Sequence, residues 1–160
     1  MAHAWDPTDE QLRTCCAADA WLGRMSVARP FSSAEEAGDL SDQIVLGLDD
    51  VALDQALAAH PRIGDRPLGR TTEDRWSRSE QAGALTVGTD VQERLAEGNR
   101  SYEQRFGHVF LIRAAGRTAE EMLAALEQRL ENDDATERDV VRRELADIVR
   151  LRLQKLGDAR

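Results

Sequence analysis

His60 is one of three histidines in the chain, and it stands where a helix must end. An apolar run with helical spacing (Val51, Leu53, Leu57) leads into "AHPRIG" at 59–64. An imidazole has its ordinary pKa close to neutrality, so it can give or take a proton at working pH. Pro61 disfavours the α conformation at His60, which helps to stop the helix there. A side chain at such a corner can project into a cleft. The competing reading is a histidine at a helix C-terminus, where its positive form favours the helix dipole. Position alone favours that second reading.

Ser77, Glu80 and Gln81 lie in "WSRSEQAGAL", spaced so that one helical face carries all of them. Ala84 shares the face and leaves it uncrowded. A hydroxyl, a carboxylate and an amide on one face can orient an imidazole or hold a polar heterocycle by hydrogen bonds. A solvated polar face is the alternative. Arg152 continues the apolar row Val141, Leu145, Ile148, at a place where a core residue is expected. An arginine there either snorkels past the core edge or meets an anion; the snorkel is the commoner outcome. Arg150 points elsewhere on the helix and reads as solvent-facing. In "RFGHVFLIRAAG" at 105–116, Gly107 fits a helix stop. The small residues after the apolar run let a ligand approach the backbone closely, although a plain buried connector fits equally well. Nothing in the spacing recommends His108 over His60, and His3 lies in a terminal stretch that is expected to fray.

The elements that must position these residues are helical almost throughout. Thr8 with Gln11, Ser32 with Glu35, Thr89 with Gln92 and Thr118 with Glu121 each fit a capping box. Apolar spacing predicts helices at about 9–27, 33–47, 50–59, 73–85, 90–105, 119–131 and 134–156. The short run "VFLI" at 109–112 is either a strand or a buried extended link, and no strand partner is apparent. There is no internal repeat or obvious linker. The least regular stretch is 60–72, with two prolines and two glycines, and a loop of that length in a compact domain is often functional. The expectation is an all-α chain of about seven to eight helices forming one domain over residues 1–160.

Composition narrows the function classes. The formal net charge of −9 argues against nucleic-acid binding, which draws its affinity from cations meeting phosphates. It leaves room for a small anionic ligand held by one or two arginines. No apolar run approaches the length of a membrane span. The opening residues lack a secretory pattern, and the final "GDAR" is not a peroxisomal address. Cys15 and Cys16 are adjacent, a spacing that suits neither an unstrained disulfide nor a zinc site, so small, partly buried thiols in a reducing compartment are expected.

Taken in order, these pieces resemble one family, the 2-oxo-4-hydroxy-4-carboxy-5-ureidoimidazoline (OHCU) decarboxylases of purine catabolism. The matching elements are "RPF" at 29–31, "AHPRIG" at 59–64, "SRSEQAG" at 77–83, "GNRSYEQRFGHVFLI" at 98–112, "GRTAEEML" at 116–123, "RLEND" at 129–133 and "LRLQKL" at 151–156. The resemblance extends over most of the chain and is weakest in the first thirty residues. It implies an all-helical fold, usually a homodimer, acting on a small ureidoimidazoline with no metal and no cofactor. The implied reaction is loss of carbon dioxide from OHCU, the last step from urate to (S)-allantoin. Carried over by motif, His60 is the catalytic acid/base, and Glu80 is a ligand contact also placed to orient it. Pro61, Ser77 and Gln81 bind the ligand, with the backbone at Ile112, Arg113 and Ala114. Arg152 meets a substrate anion. The C-terminal departure from animal and plant members points to a cytoplasmic enzyme. The alternative is a catalytically silent member that binds a purine-derived ligand as a sensor or partner module.

Overall fold

The computed structural model describes residues 3–64, 80 and 88–159. Within them seven helices are delimited: α1 Asp9–Cys15, α2 Asp19–Ala28, α3 Ala34–Leu46, α4 Asp50–Leu57, α5 Thr89–Phe106, α6 Ala119–Arg129 and α7 Asp134–Asp158. Glu80 is helical too; the rest of the helix expected at 73–85, including Ser77, Gln81 and Ala84, lies outside the described residues. Among the described residues there is no strand, only one isolated bridge between Trp5 and Phe31. The all-α expectation holds.

Local signals account for several helix ends. Thr8 and Gln11 form the expected capping box, with Gln11 N–H donating to Thr8 Oγ1 at 3.1 Å and Thr8 N–H to Gln11 Oε1 at 2.8 Å. Thr118 and Glu121 form another. The expected Ser32 cap is displaced by one residue: Ser33 caps α3 by accepting from Glu36 N–H, and Ser32 gives its backbone N–H to the Glu36 carboxylate. At α5 the expected cap does not form. Gly88 is the N-cap and Thr89 is already helical, so its hydroxyl has lost the position from which it would cap. Gly107 ends α5 in the left-handed conformation, φ 78°, with its N–H on the Glu103 carbonyl at 2.8 Å.

The helix expected at 9–27 is two helices. Cys16 and Ala18 are extended and buried, and α2 restarts at Asp19. Ala18 cannot cap it. Instead Asp19 N–H donates to Gln55 Oε1 at 3.0 Å, while Gln55 Nε2 donates to Asp19 Oδ2 at 2.9 Å. A side chain 36 residues away thus stabilises a break that local spacing does not announce.

The chain divides into two units, Met1–Ala56 with Arg142–Arg160, and Leu57–Val141. In the first, Trp21 is fully buried between α2 and α3 and donates Nε1–H to Ser41 Oγ at 2.9 Å. The row Leu145, Ile148, Arg152 of α7 is buried as the spacing requires. Arg150 does not face solvent freely. Its guanidinium crosses α3 to Asp42 and Asp39, passing over Gly38, where an added Cβ would lie 3.0 Å from Arg150 Nη1. The two carboxylates push its pKa still higher than that of an ordinary guanidinium. The adjacent Cys15 and Cys16 are free and buried.

The second unit has its own core of Ile63, Leu95, Tyr102, Phe110, Ile112, Ala114, Met122 and Leu126, among others. Here α5 and α6 approach closely: a Cβ at Gly98 would meet Leu126 Cδ2 at 2.4 Å. "VFLI" is a link and not a strand, with Phe110, Leu111 and Ile112 buried and Val109 partly so. Its backbone finds a side-chain partner in place of a neighbouring strand, as described below.

Candidate active site

His60 stands three residues beyond the end of α4, its N–H closing a last turn on the Leu57 carbonyl at 3.0 Å. His60 and Pro61 are partly buried, and Ile63 turns back into the second unit's core. Gly64 adopts φ 93°, a backbone conformation that glycine accepts without a Cβ clash. The stretch is tethered to one face of α5. Asn99 Nδ2 donates to the Ile63 carbonyl at 2.9 Å. One turn later, Glu103 receives Arg62 in a two-point ion pair, Nε to Oε1 at 2.6 Å and Nη2 to Oε2 at 3.1 Å.

The link at 109–114 is held differently. Arg129, at the end of α6, donates Nη1–H to the Leu111 carbonyl at 2.8 Å and Nε–H to Glu137 Oε1 at 2.6 Å. Tyr102 gives its hydroxyl to the same Glu137 oxygen at 2.8 Å, and Asn132 Nδ2 reaches Glu137 Oε2 at 3.1 Å. The Arg129 guanidinium lies 4.5 Å from the Phe110 ring centroid. Burial drives the Tyr102 phenol far above its ordinary pKa, against the opposing pull of Arg129, so it remains a neutral donor. The outcome is a backbone edge in which Ile112 and Ala114 are buried and Arg113 is partly buried.

His108 packs edge-on to Tyr102 at 5.5 Å, and its Nδ1 lies 3.0 Å from the Val109 carbonyl, a structural placement. Arg152, in the first unit, has a relative exposure of 0%, which excludes the snorkel. Its Nη1 lies 3.5 Å from the Cys15 carbonyl at the end of α1, a long contact at the limit of a hydrogen bond. A buried guanidinium needs compensating acceptors. Glu80 is helical and partly buried.

Asn99, Arg129 and Glu137 were not singled out by reasoning about side-chain chemistry, although Asn99 and Arg129 fall within the quoted motifs. The signal for Asn99 was present: Leu95, Asn99 and Tyr102 share spacings of four and three, and all three are buried. A polar residue in an apolar row is the same anomaly that Arg152 presents in α7.

Comparison with known proteins agrees with this architecture. The OHCU decarboxylase family model matches residues 6–154. The chain is 34% identical over 151 residues to the uric acid degradation bifunctional protein TTL of Arabidopsis thaliana, covering 92% of this chain but only 47% of that longer protein. It is 31% identical over 142 residues to the 2-oxo-4-hydroxy-4-carboxy-5-ureidoimidazoline decarboxylase of Amia calva, covering 88% of this chain and 78% of that one. A crystal structure of OHCU decarboxylase in the presence of (S)-allantoin superposes with a TM-score of 0.81 at 30% identity, covering 95% of this chain and 99% of the other. With the motifs, the helical fold and these matches in agreement, the chain belongs to the OHCU decarboxylase family.

Proposed function

We propose that the chain removes carbon dioxide from OHCU to give (S)-allantoin, with His60 as general acid/base and no cofactor. The observation that carries this reading is the anchoring of the His60 stretch. Its backbone is tied at Leu57 and Ile63 and its neighbour Arg62 is paired, while His60 as a residue stays partly exposed. That is how a proton-transfer group is held, rather than a core histidine. Decarboxylation leaves an electron pair that the substrate's own ring C=N and C=O can accept. The protein must then turn the carboxylate out of the ring plane, stabilise developing charge and deliver a proton to one face.

In this reading Glu80 orients the imidazole and fixes its tautomer. Ser77, Gln81 and Pro61 contact the ligand. The backbone from Ile112 through Arg113 to Ala114 supplies donors and acceptors along the edge held by Arg129. Arg152 meets a substrate anion, a role consistent with its burial. The family match running from residue 6 to 154 supports a single catalytic domain. A homodimer in the cytoplasm completes the proposal; two free, buried thiols suit a reducing compartment. Among the described residues no helix is long and apolar enough to cross a membrane.

The experiment feeds urate through urate oxidase and hydroxyisourate hydrolase and follows (S)-allantoin by circular dichroism, with and without the protein. OHCU decays spontaneously, so rate and handedness are the informative readings. Faster, stereospecific formation is expected, and an unchanged rate sinks the reading. Ligand-dependent thermal stabilisation without that acceleration would point to the silent binding module instead. His60→Asn should keep the fold and lose about 10²–10⁴-fold in turnover.

A further inference from the structure

We infer that Asn99 is a positioning residue for His60: its side chain fixes the far end of the catalytic turn through the Ile63 carbonyl. The inference rests on the reading of His60 as the acid/base. Asn99 is only 4% exposed and stands in the apolar row of α5 between Leu95 and Tyr102. Its Nδ2 meets the Ile63 carbonyl at 2.9 Å, across 36 residues of sequence. Its Oδ1 is buried and, among the described residues, has no hydrogen-bond partner. An orphaned buried acceptor destabilises the fold. The donor at the buried Ile63 carbonyl must offset that cost. What the amide supplies is a donor at one backbone atom of the turn that presents His60.

The geometry of the turn makes that atom matter. His60 is tied on its N-terminal side to the Leu57 carbonyl, and Pro61 restricts the backbone that follows. Ile63 is a further backbone anchor, and Asn99 holds it. Glu103, one turn further along the same face of α5, holds Arg62. Releasing the Ile63 carbonyl removes one tether from the chain beyond the imidazole, and a misplacement of order 1 Å can cost about 10²-fold in rate.

The test uses two variants of the full chain. Asn99→Leu removes both the donor and the orphaned acceptor. It should stay folded by circular dichroism, with kcat lowered about 10- to 100-fold and KM changed far less. Asn99→Asp keeps the shape but donates only when protonated, and burial raises its pKa. Its kcat should therefore recover as pH falls, through an ionisation absent from the wild-type profile, measured where the variant is fully folded. A folded Asn99→Leu with wild-type kcat overturns the inference. If Asn99→Leu does not fold, an Asn99→Asp pH profile parallel to wild type overturns it equally. His60→Asn separates the two levels: retained turnover would overturn the acid/base reading and the inference with it. Loss of turnover beside fully active Asn99 variants would overturn only the positioning role.

Discussion

Two irregular stretches of the second unit, 57–64 and 107–114, solve the same problem with different chemistry. Each leaves a helix, turns inward and has one carbonyl held by a side chain from another segment: Ile63 by Asn99 at 2.9 Å, and Leu111 by Arg129 at 2.8 Å. The His60 turn relies on a neutral amide and a partly exposed ion pair. The link relies on a buried guanidinium whose charge is matched by buried Glu137 and braced by Tyr102 and Asn132. Buried charge is strongly held once paired, because loss of either member strands the other in a medium of low dielectric. Of these tethers, those on the turn that carries the proposed acid/base are neutral or partly exposed, and those on the edge proposed to meet the ligand are charged and buried.

The contrast breaks first at Arg129. Arg129→Met should cost about 3–5 kcal/mol, because Glu137 is left buried without its cation; urea denaturation measures it. A loss under about 1 kcal/mol, the range of an exposed pair, would mean the link does not depend on this network. Replacing both members, Arg129→Met with Glu137→Leu, should cost clearly less than the sum of the single losses, with a coupling of about 0.5–3 kcal/mol. Additive losses in that cycle would remove the pair as the source of the link's firmness.

Gly98→Ala acts on the helix that holds the His60 turn. The new Cβ would sit 2.4 Å from Leu126 Cδ2, so Leu126 must move or α5 must shift. Overpacking of about 1–3 kcal/mol outweighs the helix-propensity gain of roughly 1 kcal/mol, and a lowered Tm is expected. A raised Tm would show that Leu126 simply rotates away. The smallest effect belongs to Arg62→Ala. With the Arg62 side chain 54% exposed and Glu103 24% exposed, the stability loss should stay below about 1 kcal/mol and shrink further in high salt. A larger, salt-insensitive loss would mean the His60 turn is held as firmly as the link.

Much of this was legible before the fold. The row Val141, Leu145, Ile148, Arg152 marked the buried face of α7, and Arg152 proved to be buried with it. Gly107 and the Thr8 and Thr118 caps needed only their own neighbours. Other features were illegible for a common reason. The break at Cys16–Ala18 depends on Gln55, and the crossing of Arg150 over Gly38 depends on Asp39 and Asp42, more than a hundred residues away in sequence. The shift of the cap from Ser32 to Ser33 is a choice between two adjacent hydroxyls that the pattern alone leaves nearly equal.

From the sequence alone came the helical class, the stop before His60, the charged intruder in the apolar row of α7 and the family resemblance, because periodicity, capping and proline sterics act within a few residues. Only the tertiary structure decided that "VFLI" is a link rather than a strand, that Asn99 seizes the Ile63 carbonyl and that Arg129 balances Glu137 beneath the link. Those are pairings of buried polar groups across the fold. Burial makes their partners obligatory, but sequence spacing does not say which partner each will find.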